Sequence, residues 1–141
     1  MDYRRFGNQV VVRLDLGDEV ISALSDVQSK EKIRLAYVTG IGAVDKATIG
    51  TFDISKQEYF KQTLTGDMEI VNLAGNISEM DGKPYLHLHI VLAGLDGKAF
   101  GGHLNEAIVS GTGEIVLTCI DGVVDRKRDD KVGLNTFYFG E

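Results

Sequence analysis

The chain holds three histidines, and all lie between positions 87 and 103, in Leu86-His87-Leu88-His89-Ile90 and Gly101-Gly102-His103-Leu104. Side chains alternate faces along an extended strand, so His87 and His89 point the same way, about 6.6 Å apart. Gly94-Leu95-Asp96-Gly97 then supplies a turn. With Gly97 at positive φ, a hairpin there returns His103 opposite His89. Three converging imidazoles, each with a neutral ring nitrogen, make a site for Zn2+ or another divalent transition metal with its fourth position open. The competing reading is a polar outer face that binds nothing, with apolar residues 86, 88 and 90 turned to the core. Two points favour the metal: every histidine falls in two adjacent strands, and Gly101-Gly102 permits the close backbone approach a crowded site needs.

An open position on Zn2+ holds water, whose pKa the metal can lower to about 7. Glu69, Asp96, Asn105 and Glu106 are the candidates for a general base or substrate contact beside it. Cys119 lies in the apolar run Glu114-Ile115-Val116-Leu117-Thr118-Cys119-Ile120 and reads as a small core residue, not a nucleophile. Gly40-Ile41-Gly42 carries the start of a phosphate-loop pattern. No third glycine and no helix follow it, so it reads as a bend between strands.

The elements that must position these residues are mostly strands. Gln9 to Leu14, with Val10-Val11-Val12, forms the first. Asp15-Leu16-Gly17-Asp18 can cap a helix, and Val20, Ile21, Leu24, Val27 and Ile33 follow helical spacing over Glu19 to Ile33. Further strands are predicted at Leu35–Val38, Ala47–Asp53, Glu58–Leu64, Glu69–Ile77, Tyr85–Leu92, Ala99–His103, Glu114–Ile120 and Thr136–Phe139. Antiparallel strands in this number suggest a sandwich or barrel, and one amphipathic helix packed on the sheet makes the class α+β.

A length of 141 residues makes residues 1–141 a single domain, burying roughly 68–70% of the surface of its unfolded chain. Hydrophobic and charged fractions of 43% and 26% are those of an ordinary globular protein. One cysteine excludes an internal disulfide, the N-terminus has no apolar signal core, and no apolar stretch reaches membrane-spanning length. These features predict a cytoplasmic protein without a membrane partner. A net charge of −6 opposes DNA binding, which rests on neutralising phosphates. The one basic run, Arg126-Lys127-Arg128, is hemmed by Asp125, Asp129 and Asp130 and reads as a solvated loop.

Five segments in order resemble the PPC domain, a family of plants and prokaryotes. They are Val38-Thr39-Gly40-Ile41-Gly42-Ala43-Val44, Ala47-Thr48-Ile49-Gly50-Thr51-Phe52-Asp53, Gly66-Asp67-Met68-Glu69-Ile70-Val71-Asn72-Leu73-Ala74-Gly75-Asn76-Ile77, Leu86-His87-Leu88-His89-Ile90 and Gly101-Gly102-His103-Leu104. The resemblance implies an α+β fold with an antiparallel sheet, a homotrimer, and His87, His89 and His103 as zinc ligands of the prokaryotic pattern. It also brings the family's label as DNA-binding, transcription-associated proteins. In plant members the groove-binding arm is Arg-Gly-Arg-Pro, which this chain lacks. The plant partner segment Gly-Arg-Phe-Glu-Ile-Leu is here Gly66-Asp67-Met68-Glu69-Ile70-Val71, without its arginine and phenylalanine. Three functions compete on this evidence: a metal-bearing binding module, a metal-dependent enzyme, and a scaffold whose metal only pins the hairpin.

Overall fold

A computed structural model describes residues 1–140. The elements run β1 (Asp2–Phe6), β2 (Gln9–Leu14), α1 (Val20–Glu31), β3 (Ala36–Asp53), β4 (Glu58–Met80), β5 (Lys83–Gly94), β6 (Ala99–Cys119), β7 (Asp125–Asp129) and β8 (Leu134–Tyr138). Six strands form one antiparallel sheet in the order β1-β2-β6-β3-β4-β5. The end of β6 nearest the turn also pairs with β5, so β3, β4, β5 and β6 close on themselves. Strands β7 and β8 make a separate hairpin.

Alternation of residue type sets which face goes inward. Val10, Val12 and Leu14 of β2 are buried, as are Leu88, Ile90 and Leu92 of β5 and Ile115 and Leu117 of β6. Helix α1 covers this core with Val20, Ala23, Leu24 and Val27, which recur on one face of a 3.6-residue period. Its N-cap is Glu19, whose carboxylate accepts from the Ile21 and Ser22 amides at 3.1 and 2.8 Å. Lys32 in the left-handed conformation ends it. The helix thus lies inside the range that its periodicity predicts. Ile33, the last residue of that pattern, is buried beyond the helix end. Among the described residues no helix is long and apolar enough to cross a membrane.

Two features differ from the sequence expectation. The separate short strands predicted on either side of Gly40, Gly66 and Gly111 are single long strands, β3, β4 and β6. The glycines in β3 do not break it, because both of its edges are hydrogen-bonded, to β4 and β6. They admit neighbouring backbone instead: a Cβ at Gly40 would lie 3.0 Å from the Glu114 carbonyl oxygen. The second difference is Arg126-Lys127-Arg128, which is strand and not a solvated loop. Its alternation turns Arg126 inward, to 5% exposure, while Lys127 and Arg128 stay exposed. Cys119, expected in the core, is half-buried at the end of β6, with its Sγ 3.9 Å from Arg5 Nη1.

Gly102, beside His103, is a tight point that a substitution can probe. A Cβ there would stand 2.7 Å from the Gly50 carbonyl oxygen, which is backbone in the adjacent strand and cannot turn away. Gly102→Ala is expected to lose about 1–3 kcal/mol of stability, the range for overpacking. Urea unfolding of the two proteins measures it, and an unchanged midpoint contradicts the assignment.

Candidate metal centre

Strand β5 sends Leu88 and Ile90 into the core and so turns His87 and His89 to its outer face. The turn at Gly94–Lys98 closes with Gly97 at φ 73°, as its sequence predicts. The resulting register sets His89 directly opposite His103. The three ring centroids stand 5.1, 5.2 and 5.5 Å apart, and one ligand atom from each histidine lies within 4.8 Å of the others. His87 Nε2 and His89 Nε2 are 3.2 Å apart. Tetrahedral Zn2+ with Zn–N bonds of 2.0–2.1 Å holds its nitrogens about 3.3 Å apart. That pair therefore already has the required spacing, and a ligand atom of the third ring lies within 4.8 Å of both. Among the described residues no cysteine or carboxylate joins the cluster. Three imidazoles with one position open suit zinc or a similar transition metal.

Glycines clear the space around the rings. A Cβ at Gly75 would collide with the His87 carbonyl, and one at Gly50 with the Tyr59 ring. Tyr59 crosses Gly50 to meet His103 edge-on at 6.2 Å, and its hydroxyl donates to Asn105 Oδ1 at 2.9 Å.

The β7–β8 hairpin forms the opposite wall, and it carries the residue that sequence reasoning missed. Arg126 lies between the Tyr85 and Phe137 rings, its guanidinium carbon 4.6 and 4.5 Å from their centroids. Its Nε donates to Ser78 Oγ, Nη1 to the Asn135 carbonyl and Nη2 to Asn76 Oδ1, each at 2.8 Å. Nη2 also stands 3.4 Å from His87 Nδ1. A guanidinium is a permanent donor, so His87 Nδ1 is the acceptor of that contact. In that tautomer the ring proton is on Nε2; a metal on Nε2 requires the other tautomer, with the proton on Nδ1, and leaves the Arg126 N–H free of that contact. No local pattern marks Arg126 in the sequence, because its partners come from β4 and β8 and meet only in the folded chain.

The predicted base candidates do not face the histidines. Glu69 is exposed and borders a separate hollow with Ile41 and Val71. Asp96 pairs with Lys98 at 2.8 Å and Glu106 with Lys46 at 3.1 Å. Asn105 alone is linked to the site, through Tyr59.

Burial holds the His87 imidazole down to a pKa of about 4, helped by the Arg126 charge and then by the neighbouring imidazoles. His103 is also lowered, by burial and then by His89. Metal ligands must be deprotonated, so these shifts keep both rings ready for a cation well below neutral pH.

A model of the Plants and Prokaryotes Conserved (PCC) domain matches residues 1–121. Three solved structures are similar over nearly the whole chain. A candidate DNA-binding protein from Bacteroides thetaiotaomicron is 35% identical, covering 98% of this chain and 96% of its own, with a TM-score of 0.95. A metal-containing protein from Archaeoglobus fulgidus is 34% identical, covering 98% and 99%, with a TM-score of 0.86. A plant- and prokaryote-conserved protein from Pyrococcus horikoshii is 31% identical, covering 99% and 95%, with a TM-score of 0.84. No curated protein matches the chain.

A histidine whose folded pKa is depressed takes up its proton more readily in the unfolded chain. Its contribution to stability is complete above about 6.5 and is lost as pH falls toward about 4. Metal-free protein should therefore melt at progressively lower temperature across that window, and His87→Gln should flatten the dependence. Thermal unfolding in the presence of a chelator tests this; identical slopes for the two proteins refute it.

Proposed function

The chain belongs to the Plants and Prokaryotes Conserved domain family, and on that premise we propose that it is a metal protein holding one Zn2+ per subunit on His87, His89 and His103. The observation that carries this reading is the convergence of three imidazole ligand atoms within 4.8 Å, with no fourth protein ligand among the described residues. The metal-containing relative, at 34% identity over nearly the full chain, supports it. Structural zinc is usually closed by four protein ligands, so three favour a metal that works on something brought to it.

The protein acts as a cytoplasmic homotrimer. Tyr37 and Ile41 of β3, Val71 of β4 and Val91 of β5 are exposed on three adjacent strands, an apolar surface that a closed assembly would cover.

Its place among DNA-binding, transcription-associated proteins rests on relatives alone, and its own surface opposes it. Arg5, Arg13 and Arg34 are tied to Glu31, Asp15 and Glu79 at 2.7, 2.9 and 2.7 Å, and Arg126 is buried. A trimer carries three times the chain's −6, or −18. Zinc-dependent catalysis is the second reading. It is favoured by a cavity of about 800 Å³ bordered by all three histidines, where a metal would lower the pKa of a bound water.

Protein purified without a histidine tag should contain about one equivalent of zinc per chain and scatter light as a trimer. His89→Ala should lose the metal. Less than about a tenth of an equivalent of any transition metal in the unaltered protein overturns the metal reading.

DNA affinity should be no tighter than about 10⁻⁴–10⁻⁶ M at physiological salt, should not discriminate AT-rich from GC-rich duplexes, and should fade as salt rises. Fluorescence anisotropy measures it. A nanomolar, sequence-selective dissociation constant would restore DNA binding as the main activity.

A further inference from the structure

A buried guanidinium ordinarily faces a carboxylate, because taking an uncompensated charge out of water is costly. Arg126 is 5% exposed, yet among the described residues no carboxylate oxygen comes within 4.0 Å of its guanidinium nitrogens. Three of its five N–H groups are bonded to the neutral oxygens of Ser78, Asn76 and Asn135, each at 2.8 Å. Two remain, one on each terminal nitrogen, and their single further contact is the long one, 3.4 Å, to His87 Nδ1. The Tyr85 and Phe137 rings fix the plane of the group. This is a cation held rigidly in place with donors to spare.

Arg126 also borders the cavity over the histidines, with Asn76, Tyr59, Tyr85 and Phe137. We propose that this cavity binds a small organic carboxylate, with one oxygen on the open position of the metal and the carboxylate against the Arg126 guanidinium. The inference rests on the metal reading for the first of these contacts and on the chain's own arginine for the second.

The distances allow both contacts at once. From Nη2 across the His87 ring to a metal on Nε2 is at most about 7.7 Å, counting the 3.4 Å contact, the width of the ring and 2.0–2.1 Å for the Zn–N bond. A carboxylate, or a hydroxyl and carboxylate on adjacent carbons, spans about that length between a metal and a hydrogen-bond donor. The cavity, about 800 Å³, has room for such a molecule with a short apolar tail against Phe137 and Phe52. Arg126 lies beyond residues 1–121, so the part of the chain that the family model matches does not contain it.

Glycolate is the probe, with a hydroxyl beside its carboxylate, and glycolamide is its neutral isostere. Calorimetric titrations of the full chain, zinc-loaded and chelator-treated, compare the two ligands in the unaltered protein and in Arg126→Lys, which keeps the charge but loses the planar fork. Glycolate should saturate the zinc-loaded protein and bind at least about tenfold more tightly than glycolamide, and Arg126→Lys should erase about tenfold of that affinity at unchanged zinc content. Equal binding of the two ligands, no glycolate binding by about 50 mM, or unchanged affinity in Arg126→Lys overturns the proposal. Should the protein retain no zinc, the metal reading alone fails. A preference for glycolate that depends on Arg126 in that metal-free protein still supports the carboxylate site, and its absence overturns it. Loss of the trimer mass in Arg126→Lys without glycolate binding in the unaltered protein also overturns it, the guanidinium then serving a neighbouring subunit.

Discussion

Strand β6 hydrogen-bonds to three partners along its length, β5 near its start and then β3 and β2, and this shared pairing sets the register on which the site depends. Leu104 and Ala107 of β6 must face the core, as must Leu88 and Ile90 of β5. A slip of one residue in either strand would turn those apolar side chains to solvent and bury histidines in their place. Burial of the inner face thus holds His89 opposite His103 on the outer face, without any interaction between the histidines themselves. Burying each leucine or isoleucine is worth about 1.5–3 kcal/mol, so the register is held by several such terms at once. The histidine cluster is in this sense a by-product of the core.

The second constraint is the charge at the rim of the site. Arg126 is stabilised by three neutral hydrogen bonds and two aromatic faces, which lessen the cost of burying its charge without neutralising it. Its field adds to burial in keeping His87 unprotonated, the cation repelling a proton from its neighbour. A metal dication would raise the local positive charge further. In a chain whose net charge is −6, that concentration of positive charge in one cavity suits a small anion.

Much of the histidine half of this arrangement was legible in the sequence. Period-two alternation over Leu86 to Ile90, a turn at Gly97 and a returning histidine are local signals, and local geometry converts them into a shared face. The helix was legible in its apolar spacing over Glu19 to Ile33, while its end at Glu31, set by the left-handed Lys32, was not. The α+β class follows from these elements together, and the family match and the solved structures agree with it.

What only the tertiary structure decided is the other half. Gly40, Gly66 and Gly111 read as breaks in the sequence, yet they lie within long strands: Gly40 is paired on both edges, while Gly66 and Gly111 fall at register shifts, where a bulge interrupts the pairing and the strand runs on. Arg126 read as one of three solvated cations between aspartates, and it became the buried wall of the cavity. Its partners Asn76, Ser78, Tyr85 and Phe137 lie on β4, β5 and β8, between 11 and 50 positions away in the chain. The sequence by itself determined which side chains could ligate and that they would share a face, since strand periodicity acts between neighbours. Which charge would stand beside them was decided by long-range packing, because only the folded chain brings the β7–β8 hairpin against the outer face of β4 and β5.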